Sequence, residues 1–280
     1  MSVEIGERDR ALRAILTTLD DARVAVSGGV DSMTLAHCAH ATLGARVLIV
    51  HAVSPAVPPA ATERVRAYAA EHGWTLEVID AGEFDDPDYR ANPVNRCFHC
   101  KTALYGSIAR RFGGTILSGT NLDDLGDYRP GLKAAAAHAV RHPYVEAGID
   151  KDGVRALARY HGLPALAALP AAPCLSSRIL TGLAVTEPRL AGILAIETAM
   201  QRELGGDRTL RCRVVEQGVD LQLDEPALRL WHEGAGERLR PEVDRLCRLH
   251  GLGTRVDVSP YRRGSAFVGD KRAPQAGHAV

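Results

Sequence analysis

Residues 25–38 read AVSGGVDSMTLAHC, and this stretch decides how the rest of the chain is read. An apolar strand end runs into Ser27-Gly28-Gly29-Val30-Asp31-Ser32, and a helix follows. A helix start leaves its first backbone N–H groups without intrahelical partners, and the macrodipole favours an anion there. Two glycines let a phosphate approach the backbone closely, and the Ser27 and Ser32 hydroxyls add donors. The lysine of a G-x-x-x-x-G-K-[ST] phosphate loop is missing. Asp31 repels a bare phosphate, so the pattern places Mg2+ beside it. The dipole contributes only about 0.3–2 kcal/mol, so metal and arginines are expected to share the polyphosphate.

Outward from that loop, ARVAVS (22–27) and RVLIVHAV (46–53) are nearly continuous valine-rich runs, the pattern of parallel strands covered on both faces. Helices are expected over 31–43, ATERVRAYAAEHG, FHCKTALYGSIARRFG and 132–140, and over DKDGVRALARYHG with Asp150 as N-cap. TLEVID and TILSGT read as strands, and a further strand is expected near HPYVEAG. Residues 81–96 and NLDDLGDYRPG read as long loops. The alternation predicts an α/β fold with a doubly wound parallel sheet, whose ligands bind outside the carboxyl ends of the strands. LPALAALPAAPCLSSRILTGLA (163–184) fits no period and marks a junction. Beyond it, helix 186–204, strands 209–215, 219–224 and 254–258, and helical material up to Gly251 make a smaller α+β unit. The predicted domains are 1–165 and 166–270, with a disordered polar tail over 271–280.

A length of 280 residues suits two domains. Lys+Arg and Asp+Glu both number 34, so the charge balance points to no nucleic-acid partner. MSVEIGERDR has no apolar h-region and no apolar run is long enough to span a bilayer, so a cytoplasmic protein without a membrane partner is expected.

Six cysteines make no disulfide scaffold at this length. Cys38, Cys212 and Cys247 sit in apolar patterns and read as core thiols. Cys97 and Cys100 form RCFHCK, and Cys174 lies in APCLSSR; Arg96, Lys101 and Arg178 nearby favour thiolates. Three thiolates suit zinc with His99 or water, or three irons of a four-iron cluster, and spacing does not separate these. Arg211 and Arg213 alternate with apolar residues, which puts both guanidiniums on one strand face, fit for a phosphate or for solvent. Glu197 falls on the apolar side of its helix and needs a partner.

SGGVDS resembles the PP-loop of the ATP pyrophosphatases, a HUP-like α/β superfamily, and SGTNLDD (118–124) resembles their second motif, with Thr120, Asn121 and Asp124 near nucleotide or metal. NRCFHCKTALY, DDLGDYRPGLK, GVRALARYHGLP and APCLSSRI follow in this order, and the whole resembles the LarE family from about Asp21 to Phe267. The resemblance implies an ATP-dependent sulfur transferase of nickel-pincer cofactor synthesis. It implies adenylation of a carboxylate of pyridinium-3,5-biscarboxylic acid mononucleotide, release of AMP and pyrophosphate, and conversion to a thiocarboxylate. Cys174 matches the essential cysteine, which in one branch gives up its own sulfur. In another branch three cysteines hold a [4Fe-4S] cluster, and Cys97, Cys100 and Cys174 place this chain there. The resemblance also puts Asp31 and Glu197 beside Cys174 in catalysis, and Ser27, Gly28, Gly29, Ser32, Arg129, Ser177 and Arg178 among the cofactor-binding residues. Arg211, Arg213 and Arg262 match arginines associated with the substrate phosphate. Gln222 stands where an acid is expected. A homo-oligomer is implied. The competing readings are a PP-loop tRNA thiolase, which calls for a basic stripe that the chain lacks, and a zinc-bearing scaffold, which needs neither Asp31 nor a reactive Cys174.

Overall fold

The computed structural model describes residues 2–126, 130–206 and 208–262. The chain divides into two compact units, Met1–Asp86 with Asn95–Pro173, and Pro87–Val94 with Cys174–Val280.

In the first unit, strands β1 (Ala22–Val26), β2 (Val47–Val53), β3 (Leu76–Asp80) and β4 (Thr115–Ser118) are all parallel and lie in the order β3-β2-β1-β4. Helices cover both faces. α1 (Ser2–Thr17), α2 (Val30–Leu43), α3 (Pro59–His72) and the later Lys151–Tyr160 helix pack on Ala22, Val24, Val26 and Ile49. α4 (Arg96–Phe112) and α5 (Pro130–Ala137) pack on Val50, Ile79 and Ile116. The sheet is therefore doubly wound, as the valine-rich runs predict. Numbering on, Lys151–Tyr160 is α6, with the Asp150 carboxylate accepting from Gly153 N at 2.8 Å as its N-cap. The strand order reverses between β1 and β4, where Ala25 lies opposite Ser118. Such a switch point opens a crevice at the carboxyl ends of the strands.

Gly119 directly follows β4 and lies against the start of α2. A Cβ there would stand 2.8 Å from the Asp31 carbonyl carbon and the Ser32 nitrogen, so only glycine lets the two loops touch.

Two expectations are corrected. The strand near HPYVEAG is a helical turn, Pro143–Glu146, and Arg141 makes an isolated bridge to Leu117. Pro143 has no N–H for a ladder, and its fixed φ suits the first position of a helix. Residues 81–96 are not one loop of the first unit: they hold the turns Glu83–Asp85 and Pro87–Arg90, and Pro87–Val94 belongs to the second unit. The tail 271–280 lies outside the described residues.

The second unit holds α7 (Glu187–Leu204), β5 (Leu210–Val215), β6 (Gly218–Leu223), α8 (Glu225–Leu230), α9 (Gly236–His250) and β7 (Arg255–Pro260). β5 and β6 are antiparallel, and β7 joins β6 in parallel. Thr186 caps α7, and Leu190, Ile193, Ile196 and Met200 form its buried stripe. Asn92, from the early segment, is buried here and donates its amide to the carbonyls of Leu180 and Leu183, each at 2.9 Å. Among the described residues, no helix is long and apolar enough to cross a membrane.

Candidate active site

The glycine loop after β1 is braced from below. Gly28 has φ +80°, and a Cβ there would meet the Ala61 carbonyl at 2.8 Å, so the start of α3 lies directly behind the loop. Arg64 Nη1 donates to Gly28 O at 2.9 Å. His51 is fully buried between Val26 O and Thr62 Oγ1, each at 2.9 Å. A carbonyl only accepts, so Nδ1 carries the proton and Nε2 accepts from the hydroxyl; burial lowers the pKa of His51 and favours this neutral form. Ser32 Oγ accepts from Ser27 N at 3.1 Å and donates to Gly29 O at 3.2 Å. Gly29 is the N-cap of α2 and brings no capping side chain, which leaves the helix start open to a ligand.

Asp31 is where three segments meet. Its Oδ1 accepts from Asn121 Nδ2 at 3.2 Å, and Lys151 Nζ sits 2.5 Å from its Oδ2. Its backbone carbonyl accepts from Tyr144 Oη at 3.1 Å. Asn121 is itself locked: its Oδ1 accepts from Asp123 N and its N–H donates to Asp124 Oδ2, both at 3.1 Å. Asp123 Oδ2 also accepts from Lys151 N at 3.1 Å, and Thr120 Oγ1 lies 3.0 Å from Ser118 Oγ. The Asp31 carboxylate already holds a cationic group, and carboxylate oxygen is the donor that a hard divalent cation such as Mg2+ takes.

Lys151 is the residue that the sequence reading misses. Its signal is a lysine in the first turn of α6, where a positive charge opposes the macrodipole. A charge placed against the dipole calls for a specific anion, and here that anion is Asp31.

Cys97 and Cys100 are half-buried on the opening turns of α4, three residues apart and hence on one face. A helix N-terminus favours thiolates, so this pair fits a soft metal or a cluster. Cys174 belongs to the other unit and is exposed. It heads the turn Leu175–Arg178, and its carbonyl accepts from Ser177 N at 3.0 Å, Ser177 Oγ at 2.7 Å and Arg178 Nη1 at 3.1 Å. The main chain at this cysteine is pinned and the thiol is presented outward. Cys38, Cys212 and Cys247 are buried, and burial pushes their thiols up, to about 12 at Cys38 and about 11 at Cys247.

Beyond Cys174, Arg178 Nε and Nη2 reach both oxygens of Glu197 at 3.1 Å, and Glu197 Oε1 also accepts from Cys212 N at 2.9 Å. Arg178 and Glu197 side chains are only 5% and 9% exposed, so each neutralises a buried charge that the other would otherwise leave unpaired. Arg213 donates to Ser177 O at 2.7 Å and to Gln222 Oε1 at 3.2 Å, and Gln222 Nε2 donates to Asp220 Oδ2 at 3.0 Å. Arg211 lies against the Tyr261 ring, 5.9 Å from its centroid. Burial and the Arg178 charge lower the pKa of both Arg211 and Arg213, so an anion bound there relieves them. Arg262 is exposed, and Arg129 lies outside the described residues.

No protein-family model matches the chain. It is 38% identical over 195 residues to the uncharacterized protein slr1717 of Synechocystis sp., covering 68% of this chain and 72% of that protein. It is 29% identical over 268 residues to the pyridinium-3,5-bisthiocarboxylic acid mononucleotide synthase of Lactiplantibacillus plantarum, covering 93% of this chain and 94% of that enzyme.

Glu197→Ala strands the Arg178 guanidinium in a buried site. It is expected to cost about 3–5 kcal/mol of stability, read by urea unfolding, while Glu203→Ala on the same helix, which breaks only a surface pair with Arg238, costs at most about 1 kcal/mol. Equal costs for the two variants would show that the buried pair holds nothing in place.

Proposed function

The chain belongs to the LarE family, and on that premise we propose that it is an ATP-dependent sulfur transferase of nickel-pincer cofactor biosynthesis. It adenylates a carboxylate of pyridinium-3,5-biscarboxylic acid mononucleotide and converts that carboxylate to a thiocarboxylate. The observation that carries the reading is the meeting of the glycine loop, Asn121 and Lys151 on the Asp31 carboxylate at the strand switch point. The same reading takes 1–165 as the pyrophosphatase domain and 166–270 as the substrate domain of a cytoplasmic homo-oligomer, with neither membrane nor nucleic acid as partner.

Gly28, Gly29 and the N–H groups opening α2 hold the β and γ phosphates, with the Ser27 and Ser32 hydroxyls. Asp31 would hold Mg2+, with Asp124 and Thr120 as further oxygen donors, and the ion would neutralise polyphosphate charge. Lys151, whose ammonium stands at Asp31 beside the glycine loop, would supply the charge that a P-loop lysine supplies elsewhere. A substrate carboxylate oxygen attacks the α phosphorus, the α–β bridging P–O bond breaks, and pyrophosphate leaves with its electron pair. The acyl carbon then has AMP as leaving group. A sulfur nucleophile adds, the C–O bond to AMP breaks, and the thiocarboxylate results. A [4Fe-4S] cluster on Cys97, Cys100 and Cys174, when bound, would supply an exchangeable sulfide as that nucleophile. Ser177 and Arg178 set the Cys174 main chain, and Glu197 orients Arg178. Arg211, Arg213 and Arg262 take the phosphate of the mononucleotide.

ATP is expected to yield AMP and pyrophosphate in the presence of the mononucleotide. Asp31→Asn should suppress AMP release, and Lys151→Met should raise the Michaelis constant for ATP at least about tenfold. ADP as product, or full activity of Asp31→Asn, would overturn the pyrophosphatase reading.

Anaerobic protein reconstituted with iron and sulfide is expected to be brown, with most of the colour lost on changing any one of Cys97, Cys100 or Cys174 to alanine. A colourless protein holding one zinc would make those thiols structural.

Removing both Arg211 and Arg213 should raise the Michaelis constant for the mononucleotide at least about a hundredfold, since each charge-assisted bond contributes roughly 1.5–3 kcal/mol. The constant for ATP should stay near its original value. Sulfur incorporated into bulk tRNA, with no thiocarboxylate formed, would replace the proposed substrate by a nucleic acid.

A further inference from the structure

The first unit carries a second constellation that the proposed reaction leaves unused. Asp9 of α1, Cys38 of α2 and His161, which follows α6, bring a carboxylate oxygen, a thiol sulfur and an imidazole nitrogen within 4.8 Å of one another. Cys38 is fully buried and Asp9 is 7% exposed. His161 Nε2 lies 2.7 Å from Asp9 Oδ1, and Arg13 Nε donates to Asp9 Oδ2 at 2.7 Å. The His37 ring stands 5.5 Å from that of His161 and 4.9 Å from that of His72, which stacks on Trp74.

A clasp of Asp9, Arg13 and His161 accounts for part of this. It does not account for the thiol beside the carboxylate, nor for the imidazoles around it. His37 Nδ1, His40 Nδ1 and His72 Nε2 are all buried with no hydrogen-bond partner among the described residues. Buried polar atoms are paired in the great majority of cases, and several unpaired imidazole nitrogens on one flank call for an ion or ordered water.

We propose that Asp9, Cys38 and His161 form a binding site for a borderline-soft divalent cation of the zinc type, with His37 the nearest further imidazole to complete four ligands. The donor set decides the class of ion. Magnesium and calcium take oxygen shells, whereas a mixed sulfur, nitrogen and oxygen set suits zinc. Zinc bonds of about 2.0–2.3 Å place tetrahedral ligand atoms roughly 3.3–3.8 Å apart, inside the 4.8 Å that bounds the three donor atoms and a small opening for the Asp9–His161 pair at 2.7 Å. On binding, the Cys38 S–H bond gives its proton to solvent. The Asp9–His161 hydrogen bond is exchanged for a metal bond from Nε2, with the imidazole proton carried on Nδ1.

The site has a mechanical meaning. α2 and α6 are tied at their starts by Asp31 and Lys151. Cys38 lies seven residues beyond Asp31, about 10 Å along the axis of α2, and His161 directly follows the last turn of α6. A metal there ties the second half of α2 to the end of α6, and α1 with them through Asp9.

The test uses the full-length chain carrying Cys97→Ser, Cys100→Ser and Cys174→Ser, stripped with a chelator and titrated with Co2+ without oxygen. It involves neither ATP nor mononucleotide, so its outcome is separate from that of the proposed reaction. One equivalent of cobalt should bind with the visible bands of tetrahedral coordination and a thiolate-to-cobalt charge-transfer band, and one equivalent of Zn2+ should displace it. Cys38→Ser in this background should abolish the charge-transfer band, and Asp9→Asn should weaken zinc binding at least about tenfold. Should Cys38→Ser fail to fold by circular dichroism, His161→Gln serves in its place and must weaken binding to the same degree. Absence of stoichiometric cobalt, cobalt bound without a thiolate band, or a band unchanged in Cys38→Ser would overturn the proposal.

Discussion

A single carboxylate organises the strand switch point of the first unit. Asp31 opens α2, where the helix dipole favours its charge. Under the proposed reaction the same charge stands where an anionic phosphate approaches, and its partners offset that conflict. Asn121 and Lys151 arrive from distant parts of the chain to satisfy the two oxygens. Gly119 loses its side chain so that the second loop can touch the first, and Gly28 does the same against α3. The positive charge that the glycine loop lacks in its own sequence is delivered by the fold instead.

The second unit treats its cysteines in two opposite ways. Cys212 and Cys247 are buried with thiols pushed upward, which makes them inert packing. Cys174 has a main chain fixed through three hydrogen bonds to its carbonyl and a side chain left exposed. Behind it, Glu197 ties Arg178 to the backbone of β5. Gln222 gives this network its character. It links Arg213 to Asp220 through a neutral amide, so among the described residues Arg213 is positioned without a carboxylate in direct contact to cancel its charge. That arrangement suits a guanidinium meant to receive an external anion.

The sheet was legible because two-sided burial forces continuous apolar runs, and Asp150 was legible because an N-cap is chosen locally. The turns of the glycine loop and the second loop were legible for the same reason: the hydrogen bonds that shape them join residues close in sequence. Lys151 was not, because it meets Asp31 across 120 positions of chain, and only its awkward place at a helix start hints at a partner. α1 carries no motif to announce it, and its signals are only Leu12 and Leu16 at helical spacing and the Asp9–Arg13 pair. The turn at Pro143 was misread because a short apolar stretch carries no period of its own.

Residues Pro87–Val94 have a consequence for how the chain comes to be folded at all. They are made early, yet their partners come late: Tyr89 pairs with Ser176 across 87 positions, and Asn92 with Leu183 across 91. During synthesis this segment must wait, unpaired, while the remainder of the first unit emerges behind it. Closing such a separation carries an entropic cost before any contact rewards it. The two units are therefore not beads that can be cut apart between Pro173 and Cys174. A fragment ending there keeps Asn92 and loses the carbonyls that hold it, so dissecting this protein calls for rewiring the chain instead of truncating it.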